Sequence, residues 1–237
     1  MKNKVKYSQI KKELLDRGAS LVGFADLIKI PSDARDFVRY AVSIAVALNP
    51  AIIAGISKGP TKEYYSEYKR ANALLSDLAD YAAGIIKDWG YKAIPKAPTN
   101  VGIDARTQST VLPHKTVATR AGLGWIGKCA LLVTREYGAA IRLTTVLTDA
   151  ELETGIPMDQ SLCGDCSSCV KLCPGGAPTG KNWKVNLNRD SFFDAFACAS
   201  AARERAIKRM DIDDTICGIC ISVCPWTRKY IENKTGK

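Results

Sequence analysis

Nine cysteines, eight of them between residues 163 and 224, limit this chain more than any other feature. In "CGDCSSCVKLCPGG" the thiols of Cys163, Cys166, Cys169 and Cys173 stand at gaps of two, two and three residues, and Pro174 follows the last. A second motif, "CGICISVCP", holds Cys217, Cys220 and Cys224 ahead of Pro225, and Cys198 lies between the two. The opening "MKNKVKYSQIKKELLDRG" is charged and amphipathic, without the apolar core of a signal peptide. No apolar run approaches the roughly 20 residues that span a bilayer. A soluble, cytoplasmic protein with no membrane partner is therefore expected. In that reducing compartment the thiols point to metal or redox chemistry rather than disulfides.

The first run has the spacing of bacterial ferredoxins, in which three close thiolates wrap one cubane and the fourth crosses to its neighbour. Two-residue gaps let a tight loop aim successive sulfurs at different irons, and the proline, lacking an N–H, turns the chain away. Applied here, one 4Fe–4S cluster takes Cys163, Cys166, Cys169 and Cys224. The other takes Cys173, Cys217 and Cys220, and Cys198 is the thiol left in this half to complete it. Zinc would prefer two CxxC pairs without crossover or proline. The ninth cysteine, Cys129 in "WIGKCALLV", reads either as a buried thiol packing like a small hydrophobe or as a cofactor-facing group.

A ferredoxin alone needs far less chain, so residues 1–150 should bind whatever exchanges electrons with the clusters, and residues 151–237 form the cluster domain. Their pattern is mixed α/β. Helices are predicted over 7–17, stopped by Gly18, and over 61–89, capped by Thr61, with an apolar stripe that includes Tyr64, Leu75, Leu78, Ala82 and Ile86. Strands are predicted in "SLVGFADL", in residues 40–48, whose unbroken apolar run predicts burial on both faces, and in "YKAIP". Residues 95–115 read as an irregular loop, and "ALLVT" and "AAIRLTTVLT" as two strands joined at Tyr137–Gly138. One more helix is predicted around 189–210.

Within "AGLGWIGK", Gly122, Gly124 and Gly127 either make a packed turn or let a flat ligand approach the backbone. Trp125, Lys128 and Cys129 join them as cofactor-binding candidates, although Trp125 also reads as core. Two residues are candidate proton donors. Asp104 is one, against the reading of a loop carboxylate that makes a turn. His114, the sole histidine, titrates near neutral pH and is placed in a loop beside the glycine turn.

"HKTVATRAGLGWIGKCALLVT", followed by CxxCxxCxxxCP, a lone cysteine and CxxCxxxCPW, resembles the epoxyqueuosine reductases, cobalamin-dependent iron–sulfur enzymes related to the reductive dehalogenases. "GASLVGFADL" and "EYYSEYKRANALL" fit the same family, so the resemblance covers nearly the whole chain. It implies a flavin-reductase/nitroreductase-like α/β domain holding cobalamin, followed by a ferredoxin-like double-cluster domain. An external donor of ferredoxin or flavodoxin type would supply electrons through the clusters to the corrin. In the family this removes an epoxide oxygen from a modified tRNA nucleoside, aided by an acidic proton donor. The chain ends soon after "CPWTRKYIENKTGK", so a short form without the tRNA-holding extension is expected, and Cys129 stands where the family usually has Asn.

The formal net charge of +10 permits an anionic partner, whether nucleic acid, an acidic carrier protein or a phosphorylated cofactor. Three functions stay open on the sequence. They are a corrin-using reductase on a small-molecule, corrinoid-protein or nucleic-acid substrate, a low-potential electron-transfer protein, and a reductase holding FMN.

Overall fold

The computed structural model describes residues 2–99 and 102–236, with side chains described from Tyr7 onward. In chain order the first elements are α1 (Lys2–Asp16), β1 (Leu21–Asp26), β2 (Tyr40–Ala47), α2 (Pro50–Ala54), α3 (Lys62–Asp88) and β3 (Ala93–Lys96). They are followed by α4 (His114–Arg120), β4 (Trp125–Ile126), β5 (Leu132–Val133) and β6 (Ile141–Thr148). Four helices complete the chain: α5 (Ser168–Lys171), α6 (Ala195–Met210), α7 (Ile219–Ser222) and α8 (Pro225–Thr235). The elements are mixed α/β, with small antiparallel sheets.

Two compact units share these elements. Met1–Ala47, Arg70–Leu123 and Arg142–Met158 form the first; Leu48–Lys69, Gly124–Ile141 and Asp159–Lys237 form the second. The contacts therefore interleave the two halves of the sequence instead of cutting the chain once near residue 150. Residues 48–69 and 124–141 pack with the cysteine-rich part.

The first unit is built on a four-stranded sheet in the order β1-β2-β6-β3. β1 runs antiparallel to β2, with Leu21 opposite Ala45 and Asp26 opposite Tyr40; β3 runs antiparallel to β6, with Ala93 opposite Thr148. Seven of the eight residues of β2 are buried, because its alternating side chains find cover on both faces. Leu14 of α1 is fully buried, as are Ala71, Leu75, Ala82 and Ile86 of α3, at the spacing of one helix face. Thr61 caps α3 by accepting from the amide of Tyr64 at 3.2 Å. β3, at one rim, is four residues long and contains Pro95 and Lys96.

The predicted loop over 95–115 stops short of its expected end. Pro113 fixes an extended backbone at the N-cap, and His114 opens α4 rather than lying in a loop. Its Nε2 lies 2.9 Å from the carbonyl of Ala97 and its Nδ1 2.8 Å from the Thr145 hydroxyl. A carbonyl only accepts, so Nε2 carries the proton and Nδ1 accepts from Thr145. Burial lowers the pKa of His114, opposed by the Ala97 hydrogen bond and reinforced by the charges of Arg142 and Lys96.

In the second unit "ALLVT" does not pair with "AAIRLTTVLT". β5 folds back on β4, with Trp125 opposite Val133, while β6 belongs to the four-stranded sheet. The cause lies at the turn. Thr134 and Gly138 exchange backbone hydrogen bonds of 2.9 and 3.1 Å, and Gly138 takes a φ of 56°. A Cβ there would come 2.2 Å from the Thr227 amide nitrogen, so bare backbone meets the first turn of α8. Trp125, fully buried as its core reading expected, meets Trp226 edge-on at 5.2 Å. The helix predicted over 189–210 is shorter. Arg189–Ser191 form a single 3-10 turn, and Asp194 starts α6 by accepting from the amide of Ala197 at 2.9 Å.

Two measurements test this description. Gly138→Ala forces a side chain onto backbone that cannot retreat and should cost about 2 kcal/mol or more in a chemical melt. Because the folded pKa of His114 lies below the ordinary 6.5, its contribution is fully present above that pH. It is lost as pH falls toward the folded value, where the unfolded chain binds more protons. Unfolding measured from about pH 8 to about pH 5.5 should show this loss in the native protein and not in His114→Gln.

Candidate metal centre

Tight backbone geometry sets each thiol of the second unit. The amide of Cys166 donates to the carbonyl of Cys163 at 3.1 Å, α5 carries Cys169, and the amide of Ala177 donates to Cys173 Sγ at 3.4 Å. α7 carries Cys220, and Cys224 stands at the N-cap of α8 with Pro225 as its first residue. Cys163, Cys166, Cys169 and Cys224, the set expected for one cluster, line a single cavity of about 100 Å³. Cys220 and Cys129 line it too, and Trp226 closes one side.

Cys173 and Cys217 are near enough to interact electrostatically. Gly175, two residues past Cys173, packs on α6, where a Cβ would meet the Ala197 carbonyl oxygen at 2.5 Å and Ala201 Cβ at 2.9 Å. Cys198 belongs to that helix. A zinc ion needs its sulfurs about 2.3 Å from one point. Among the described residues no three His, Cys, Asp or Glu side chains converge that way. Thiols spread around a cavity suit a body with several iron corners.

The surroundings fit a cubane in two further respects. Gly127 leaves the wall bare, because a Cβ there would lie 3.5 Å from Cys163 Sγ, 3.6 Å from Cys129 Sγ and 2.9 Å from a Val133 methyl. Lys128, 5% exposed, donates from Nζ to the carbonyls of Gly164 at 2.8 Å and Cys166 at 2.9 Å. Its ammonium thus holds the first cysteine loop and places positive charge where thiolates must form. Cys169 is held above the ordinary thiol range by its contact with Cys129 and by burial; burial raises Cys217 and Cys224. Ligation requires thiolates, so a bound centre displaces these protons.

Gly122, Gly124, Asp104 and His114 do not line the thiol cavity. Gly122 and Gly124 are packing positions, since a Cβ would come 2.6 Å from the Ile156 carbonyl oxygen and 2.2 Å from that of Val133 respectively. Gly122 also lines a cavity of about 640 Å³ in the first unit, with Tyr7, Lys11, Gly23, Phe24 and Glu153. Asp104 shapes its own loop. It accepts from the Arg106 amide at 2.8 Å, pairs with the Arg106 guanidinium at 3.3 Å and bridges to Ser109. His114 lines a second cavity in that unit, of about 400 Å³, where the carboxylates are Asp33 and Asp36, with Lys96 paired to Asp36. Asp104 is not among its lining residues. No sequence motif marks Asp33 or Asp36.

Residues 162–227 match the family model described as a 4Fe-4S double cluster binding domain. Over 179 residues the chain is 31% identical to an epoxyqueuosine reductase of Lactococcus garvieae (strain Lg2), covering 73% of this chain and 44% of that protein. A reductive dehalogenase, described with a mechanism for B12-dependent dehalogenation, shares the fold with a TM-score of 0.71 at 21% identity, over 92% of this chain and 31% of the other. An epoxyqueuosine reductase solved with a modified tRNA-Tyr stem loop gives 0.62 at 18%, over 94% and 66%. The chain spans under half the length of the curated relatives it matches. No described helix is long and apolar enough to cross a membrane. The cysteine-rich segment thus matches a 4Fe–4S double-cluster binding domain, and the chain is similar in sequence to the epoxyqueuosine reductases over about three quarters of its length.

Proposed function

We propose that the chain is an iron–sulfur reductase in which two 4Fe–4S clusters of the second unit pass electrons to an organic cofactor held by the first. The observation that carries this reading is the cavity ringed by Cys163, Cys166, Cys169 and Cys224 inside the matched double-cluster segment. Cys173, Cys198, Cys217 and Cys220 would hold the second cluster. The clusters supply one-electron transfer. The protein's part is to hold thiolates, exclude water behind Trp226 and set Lys128 beside the anionic site.

For the first unit the reading is a flavin-reductase/nitroreductase-like domain that takes cobalamin, in keeping with the B12-dependent mechanism described for the similar dehalogenase. Its 640 Å³ cavity has backbone at Gly23, Gly122 and Gly155 and rings at Tyr7 and Phe24, a surface suited to a broad flat ligand. His114 lines the 400 Å³ cavity instead, and both of its ring nitrogens are hydrogen-bonded, so it would not be among the residues that hold the corrin. The same bonds speak against His114 as proton donor, and Asp33 and Asp36 are the acids of its cavity. A nucleic-acid substrate is supported by the net charge of +10 and by the tRNA stem loop bound to a similar protein. A low-potential ferredoxin or flavodoxin would serve as donor. FMN in the same cavity, or electron delivery to a corrinoid partner, are the alternatives that cofactor titration separates.

Anaerobically purified protein should hold about eight irons, four for each of two clusters. Cys198→Ala should fall to about four, and iron-free native protein would end the reading. Titration with cobalamin and with FMN, followed by absorbance, should give saturable binding of the corrin alone. Binding of a tRNA stem loop should be weak at physiological salt and strengthen steeply as salt is lowered.

A further inference from the structure

Between β4 and β5 the chain makes a five-residue loop, Gly127 to Leu131, and each polar side chain in it is directed at the cysteine motifs. Backbone hydrogen bonds of 2.9 Å from Gly127 to the Leu131 carbonyl, and from Ala130 to the Gly127 carbonyl, close the loop. Ala130 adopts a left-handed φ of 57°, which few non-glycine residues accept. Lys128 grips the carbonyls of Gly164 and Cys166. The next residue, Cys129, is 5% exposed and lines the thiol cavity. Its thiol shares that cavity with those of Cys169 and Cys220, near enough to interact with both. One belongs to each ligand set proposed above, so Cys129 lies beside both.

A spare thiol packed as a core hydrophobe would be expected among aliphatic side chains. This one faces sulfur, across a wall that Gly127 keeps bare for Cys129 and Cys163 alike. Eight other cysteines already supply four ligands to each of two clusters, so ligation does not require it. What a neutral thiol can offer a ligand thiolate is an S–H donor. Such a bond draws charge from the ligand sulfur and favours the more negative, reduced state of the cluster.

We propose that Cys129 is a tuning residue of the double-cluster centre, donating an S–H hydrogen bond to the ligand thiolates of Cys169 or Cys220 and so raising the reduction potential of the cluster it serves. No bond to iron forms and no group is transferred; the proton stays on Cys129 Sγ. The inference rests on the two-cluster reading, and iron analysis of the native protein tests that reading separately, since only its failure gives an iron-free native chain.

The experiment compares native protein, Cys129→Ala and Cys129→Ser, all purified anaerobically. Iron content and EPR-monitored redox titration are measured on each. The expected result is native iron content in both variants, a lower midpoint potential for at least one cluster in Cys129→Ala, and a smaller displacement in Cys129→Ser, which keeps a donor. Unchanged midpoints in Cys129→Ala would overturn the proposal, as would a serine variant displaced as far as alanine. Loss of iron in both variants would also overturn it and make Cys129 a ligand or a structural prop.

Discussion

An ammonium buried against a cysteine loop is the interaction on which the second unit turns. Lys128 is nearly inaccessible, and two carbonyl oxygens, of Gly164 and Cys166, accept its hydrogen bonds. Carbonyl dipoles compensate a buried cation only in part. Thiolates and the anionic cluster they hold would supply the remaining negative charge, so the lysine and the metal centre stabilise each other. The same contact fixes the first cysteine loop, because Gly164 and Cys166 belong to the run that begins at Cys163. Removing the charge would therefore disturb the shape of the loop as well as its electrostatics.

The second motif is anchored through a different set of contacts. Cys224 is the N-cap of α8, and α8 is tied down along its length. Thr227 accepts at the Gly138 turn, where its hydroxyl oxygen receives the Ala139 amide at 2.9 Å. Tyr230 donates to the Leu48 carbonyl at 3.0 Å and meets Tyr137 edge-on. Trp226 rests on the fully buried Trp125. Cys224, from a distant part of the sequence, is thus brought to the cavity of the first run by a helix held at Trp226, Thr227 and Tyr230.

Much of this was legible in the residues. Cysteine spacing is local and carries its own stereochemistry, so the double-cluster segment could be read directly. Periodicity over 61–89 and the unbroken apolar run at 40–48 are also local signals, and α3 and β2 follow them closely. What escaped was non-local. No pattern in "ALLVT" reveals that its partner is Trp125–Ile126, because the pairing depends on Gly138 meeting α8. His114 reads in sequence as a loop residue, since Pro113 signals a break as readily as a first helical turn, and the structure places it at the start of α4. The orientation of Cys129 toward other thiols is set by a loop closure invisible in composition.

Strand β3 is short, sits at one rim of the first unit's sheet, and includes Pro95 and Lys96. Proline offers no amide to an incoming strand, and a lysine ammonium resists being covered by one. Edge-to-edge growth of the sheet into a fibre or a continuous intermolecular ribbon is blocked on that side. Copies of this chain that associate would not do so by adding a strand at this border; the opposite edge of the sheet is β1.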